Sequence, residues 1–261
     1  MRLFLAVILS SACLLTGGCA SETDLRVPFE ARLGDWPFSC EGKEGFRPQD
    51  LRFFVHDVQV SDGNGTSAPA HLVPDGRWQT DRIALLDFED GTESCADGSA
   101  ATNTELVLRV PRGEWTRLSF RVGVPFDLNH ANPALAETPL NLSRMHWSWQ
   151  GGYKFIRFDA TVDGVPTRLH LGSTACEGEM NAITGCGRAN RPEIALDGFR
   201  PGMRVVLDAA SLLDSREGSD KPGCMSELDD PECERPFAAL GLDPATGEAA
   251  GTQAAFRLEG S

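Results

Sequence analysis

Tyr153-Lys154-Phe155-Ile156-Arg157-Phe158-Asp159-Ala160-Thr161-Val162-Asp163-Gly164-Val165-Pro166-Thr167-Arg168-Leu169-His170-Leu171 consists of two alternating apolar-polar runs around an Asp-Gly pair. Alternation with period two puts one face of each run in a core, and Asp-Gly accepts the left-handed backbone of a tight turn. The stretch therefore predicts a β-hairpin, with strands over Tyr153 to Val162 and Pro166 to Leu171. Further candidate strands are Leu25 to Leu33, Leu51 to Ser61, Arg82 to Asp87, Thr104 to Val110, Thr116 to Val122, Arg191 to Leu196, Arg204 to Asp208 and a closing run, Ala254 to Leu258. They are short and punctuated by turn formers such as Asp62-Gly63-Asn64-Gly65 and Asp197-Gly198. Helical periodicity is weak, being confined to a turn or two over Asp208 to Leu213 and short helices within Cys224 to Leu240. The expected class is all-β, a disulfide-stapled β-sandwich with long loop insertions.

The run Arg144-Met145-His146-Trp147-Ser148-Trp149-Gln150-Gly151-Gly152-Tyr153-Lys154 collects two of the five tryptophans, one of the five histidines and the only tyrosine. Read as a strand, it projects Met145, Trp147 and Trp149 to one side and His146 to the other. A core aromatic ladder is the simplest use of such a pair, and a binding wall is the alternative.

Arg2, an apolar run from Leu3 to Leu15 and Leu15-Thr16-Gly17-Gly18-Cys19 have the form of an export signal, too short to span a bilayer as an ordinary helix. Small residues before a cysteine resemble a bacterial lipoprotein cleavage site. Residues 1–18 are thus expected to be removed and Cys19 acylated, leaving residues 19–261 as one periplasmic-side domain. Ala20 and Ser21 after the cysteine, without a retaining aspartate, favour the outer membrane. The full chain carries 24 basic and 38 acidic residues; losing Arg2 leaves 23 and 38, a formal charge of −15. That field repels nucleic acid and anionic lipid surfaces, so membrane association is expected through the lipid anchor alone.

Apart from Cys13 and Cys19, the cysteines are Cys40, Cys95, Cys176, Cys186, Cys224 and Cys233. An even count in an oxidising compartment implies three disulfides. Short loops suggest Cys176–Cys186 and Cys224–Cys233, which leaves Cys40–Cys95. The spacings fit no zinc finger.

No Gly-x-Ser-x-Gly elbow or phosphate-binding loop is present, so a secreted hydrolase finds no nucleophile motif. Asp87, Glu89 and Asp90 form a local acidic knot, read as a solvated turn or, less simply, a calcium site. Among the histidines, His56 sits mid-strand with Phe54 and Val58, His130 at a strand-to-loop transition, and His170 just before Cys176. Each is either a satisfied structural histidine or, as a neutral imidazole, a ligand for copper or zinc. His71 in a Pro-rich loop reads as a surface residue, and His146 ranks low as a ligand.

Several segments together resemble the metallo-mystery-pair four-Cys family, the MbnP-like proteins encoded beside methanobactin and other copper-handling operons. They are Gly34-Asp35-Trp36-Pro37-Phe38-Ser39-Cys40, Leu51 to Val58, Ala84 to Gly91, Val122-Gly123-Val124-Pro125-Phe126-Asp127-Leu128-Asn129-His130, Pro139-Leu140-Asn141, Trp147 to Phe155 and His170 to Cys176. One departure is His146, where a plainer, often aromatic residue is expected. The resemblance implies a copper-binding protein rather than an enzyme, acting with a di-haem c-type cytochrome peroxidase of the MauG type. On this resemblance Trp147 is the residue oxidised to kynurenine, and Cu(I) is the expected ion. His56 and His130 are the first candidate ligands, with His170 as a third ligand or a supporting residue. The alternative is a lipid-anchored structural or adhesion sandwich whose tryptophan pair is core.

Overall fold

The computed structural model describes residues 21–180, 182–214 and 223–260. The expected signal segment, residues 1–18, and the acylation site Cys19 lie outside the described residues. Among the latter, no helix is long and apolar enough to cross a membrane.

Two sheets carry the fold. One runs in the order Phe256–Glu259, Arg204–Asp208, Glu22–Leu33, Glu105–Pro111, His71–Leu72, with Trp36–Pro37 also paired to Glu22–Leu33. The other runs Val165–Leu171, Ile156–Val162, Phe46–Ser61, Arg117–Val122, Glu193–Asp197, with Ser67–Pro69 and Ala84–Asp87 also on Phe46–Ser61. Phe29 and Phe256 of the first sheet meet Phe53 and Phe120 of the second. Their ring centroids lie 5.7 to 6.2 Å apart in edge-on contacts, so these four rings fasten the sheets face to face. The all-β sandwich expected from the alternation is what forms.

The Asp-Gly hairpin is present. Val162 pairs with Val165, and both Asp163 (φ 49) and Gly164 (φ 82) take the left-handed backbone that a two-residue turn requires. The three disulfides join Cys176 to Cys186 and Cys224 to Cys233, as the short loops suggest, and Cys40 to Cys95, the pair left by elimination.

Other expectations need correction. The run from Tyr153 to Val162 is not one strand: Gly152–Tyr153 pairs with His146–Ser148, and the hairpin strand starts at Ile156. A second hairpin, Thr174–Glu179 with Ala182–Arg188, lies where no alternation announces it, its register centred on Cys176 opposite Cys186. The acidic knot is not a solvated turn. Asp87 and Glu89 are buried with Asp50 around the guanidinium of Arg52, with Glu89 Oε1 3.4 Å from Arg52 Nη1; only Asp90 stays at the surface, capping Thr92. His71 is exposed, as expected, although it belongs to a two-residue strand.

Candidate functional site

Trp147 lies in the short strand His146–Ser148, which returns through a turn to Gly152–Tyr153. Tyr153 anchors that turn. Its ring is buried, its hydroxyl donates to the carbonyl of Leu140 at 2.7 Å, and its amide donates to Asn129 Oδ1 at 2.8 Å. Gly152 has φ +79, and a Cβ there would sit 2.4 Å from the side-chain nitrogen of Asn129. The Asn129-His130 segment can therefore dock on the turn only because residue 152 has no side chain. Trp147 in turn needs Gly172, since a Cβ at that position would come within 3.0 Å of its six-membered ring.

The result is a half-buried indole forming one wall of an open cavity of about 370 Å³, shared with Gly151, Ser173, Cys176 and Met225. The strand ends at Ser148, so Trp149 falls in the turn, 41% exposed, and Met145 is the one core residue of an otherwise exposed 3₁₀ turn, Ser143–Met145. Met145, Trp147 and Trp149 thus do not share one wall as expected. His146 packs edge-on against Tyr153, ring centroids 5.2 Å apart.

His170 faces Trp147 edge-on, with ring centroids 6.4 Å apart. Its Nε2 is 2.8 Å from Asp159 Oδ1. Burial works against the charge on Asp159, yet the hydrogen bond to His170, the His170 charge and then Arg157 hold its carboxyl well below the usual range. A carboxylate accepts only, so Nε2 carries a proton in this contact, and it is the neutral form of the ring that would present Nδ1 as a lone pair. That Nδ1 is buried and has no hydrogen-bond partner.

His130 follows the single helical turn Phe126–Asn129 and stacks obliquely on Phe126, ring centroids 4.9 Å apart. Its Nε2 lies 3.1 Å from Asn129 Nδ2 and 3.4 Å from Cys186 Sγ, whereas its buried Nδ1 has no hydrogen-bond partner. Burial, and behind it the charge of Arg191, lowers its pKa against a backbone contact from Trp149 that falls short of an aligned hydrogen bond. His56 lies deep in Phe46–Ser61, where a bulge at Asp57 (φ 50) shifts the register with Arg117–Val122. Burial pushes its pKa down to about 4 against the attraction of Asp57, and Arg191 and Arg121 push the same way. The ring is neutral at pH 7. Nδ1 lies 3.2 Å from Asp57 Oδ2 without hydrogen-bond alignment, and neither ring nitrogen has a hydrogen-bond partner.

The fold thus joins Trp147 to His170, and places His56 and His130 under the charge of one arginine, Arg191. It does not gather the three histidines into one tight cluster. Among the described residues, the ligand-atom groups in which all members lie within 4.8 Å of one another are His130 with Cys176 and Cys186, and Cys224 with Asp230 and Cys233. Sequence reading passed over Asp159, Asn129 and Arg191. Asp159 was within reach of it, because counting outward from the two-residue turn pairs Arg157 with His170 and puts Asp159 one diagonal step away.

The family profile described as MbnP matches residues 22–226. MbnP from Methylosinus trichosporium is similar in structure, with a TM-score of 0.78 and 29% sequence identity, over 91% of this chain and 98% of that one. A comparison with curated protein sequences finds no match. With the profile spanning well over half of the chain, this protein belongs to the MbnP family.

Proposed function

We propose that the protein binds copper on the periplasmic side of the cell, held to the outer membrane by a lipid on Cys19, and that it is a binding protein rather than an enzyme. The observation that carries this reading is the state of the three candidate histidines. His56, His130 and His170 each leave at least one buried ring nitrogen without a hydrogen-bond partner. Such nitrogens cost about 1–3 kcal/mol each unless something accepts them. Neutral imidazole nitrogen is a donor that copper favours, and Cu(I) accepts few ligands, so the donor set fits the ion. His170 would present Nδ1, because Asp159 holds Nε2.

Maturation of the site is assigned to Trp147, oxidised to kynurenine by a di-haem c-type cytochrome peroxidase of the MauG type. Two molecules of hydrogen peroxide, reduced to water at the partner, accept the electrons. The indole C2–C3 bond breaks, each carbon gains an oxygen, and C2 leaves as formate on hydrolysis. Indole offers only an N–H donor; kynurenine adds an aryl amine and a ketone beside His170. Trp147 suits this role because it is half-buried, borders an open cavity and touches a candidate ligand.

His56→Ala, His130→Ala and His170→Ala tested separately for copper binding are each expected to weaken it. Wild-type binding in all three would overturn the assignment. The related alternative, a structural or adhesion sandwich, predicts no stoichiometric copper in any of them.

A further inference from the structure

We propose that Cys176, Cys186 and His130, the last shared with the proposed copper site, form a redox-gated metal site, open only when the Cys176–Cys186 disulfide is reduced and selective for a thiolate-binding d10 cation such as Zn(II) or Cu(I). The three ligand atoms lie within 4.8 Å of one another. His130 Nε2 is already 3.4 Å from Cys186 Sγ, against about 3.6 Å between the nitrogen and sulfur ligands of one tetrahedral zinc. The two sulfurs, 2.06 Å apart as a disulfide, must separate to about 3.8 Å to share a metal. Rotation about the cysteine side-chain bonds supplies that movement, because the residues face each other across a hairpin with Cα atoms 3.8 Å apart.

This disulfide is also the one a reductant can reach. Cys40, Cys95, Cys224 and Cys233 are buried to within 2% of full coverage, whereas Cys186 is half-buried and Cys176 borders the open cavity beside Trp147. A protein dithiol or a small dithiol transfers two electrons and two protons to the S–S bond. Two cysteine thiols result, and the donor leaves as its own disulfide. Metal binding then releases the two thiol protons and places two thiolates and one imidazole around the cation, a soft donor set. In the oxidised protein Asn129 Nδ2, 3.1 Å away, donates to the lone pair of His130 Nε2, and the metal must displace that donor to bind. The oxidised protein has no thiolate to offer here, so the redox state of this hairpin decides whether the site exists.

The test uses full-length protein produced without the peroxidase partner and without copper, so its failure leaves the proposed function untouched. Limited reduction with a dithiol, followed by alkylation and peptide mapping, is expected to label Cys176 and Cys186 before the other four cysteines. The partly reduced protein should then bind one Cd(II), read from the ultraviolet thiolate-to-cadmium charge-transfer band. His130→Ala should bind it about tenfold more weakly or worse, since loss of a ligand costs at least as much as loss of a ligand's supporting residue. Cys176→Ser/Cys186→Ser should show no band. Labelling that begins at another pair, or reduced wild type without the band, overturns the proposal. A Cd(II) affinity unchanged in His130→Ala removes the imidazole from it. Because limited reduction is done on the wild-type sequence, the test does not depend on the double variant folding.

Discussion

Asp159 and Gly172 show how much of the candidate site rests on residues that are not themselves candidate ligands. Asp159 fixes the tautomer of His170 and is itself shared with Arg157, whose Nε lies 2.7 Å from its Oδ2 and 3.2 Å from Asp50 Oδ2. Asp159→Ala leaves Arg157 its second carboxylate, so the fold should persist while copper affinity falls about 10–100-fold, measured by competition with a copper chelator. Gly172→Ala drives a methyl group against the indole of Trp147 and the carbonyl of Tyr153, 2.9 Å away. It is expected to cost about 1–3 kcal/mol by denaturant unfolding and to move the tryptophan fluorescence. Asp87 gives a pH signature separate from the site. Burial raises its pKa to about 7, with Arg52 opposing and Glu89 adding repulsion. The folded protein therefore keeps this proton up to about pH 7, whereas the unfolded chain releases it near pH 4, and stability falls as pH rises between those values. Asp87→Asn removes that slope. Its stability relative to wild type should rise by roughly 2–4 kcal/mol from pH 4 to pH 8, and a constant difference would contradict the assignment.

The hairpin Ile156–Val162 to Val165–Leu171 is the element that sequence reading serves best, because alternation and a two-residue Asp-Gly turn fix its register and hence the Arg157–His170 pairing. Gly164 has φ +82 and open space around its Cβ position. Gly164→Val should thus cost only backbone strain, about 1–2 kcal/mol by thermal or denaturant unfolding, and should leave copper stoichiometry unchanged. The hairpin Thr174–Arg188 was illegible for a physical reason: its residues are largely exposed, so nothing selects an apolar alternation, and a cross-strand disulfide and backbone pairing hold it. The neighbourhood of His56 was legible only in part. Its burial follows from Phe53-Phe54-Val55, but the bulge at Asp57 obeys a local backbone choice that no period reveals. The acidic knot misled because the charge of Arg52, distant in sequence, makes its burial tolerable.

At the scale of the molecule, the family match ends at residue 226, yet the packing does not. Phe256 of the closing strand sits between Phe53 and Phe120, and the helical turn Glu234–Ala239 buries Phe237, so the C-terminal segment completes the same core. That body carries a formal charge of −14 over the full chain, so a docking partner is expected to present a basic face. The sandwich and its disulfides were legible in the sequence. The separate placement of the three histidines was not, because it depends on strand order and on how the Asn129-His130 segment docks rather than on spacing. The most direct test of the account is copper stoichiometry by elemental analysis, with intact mass, on protein produced with and without the proposed partner peroxidase. The expected result is a gain of about 4 Da at Trp147, one carbon exchanged for one oxygen, together with stoichiometric copper only in the partnered sample. An unmodified Trp147 and no copper in either sample would contradict it.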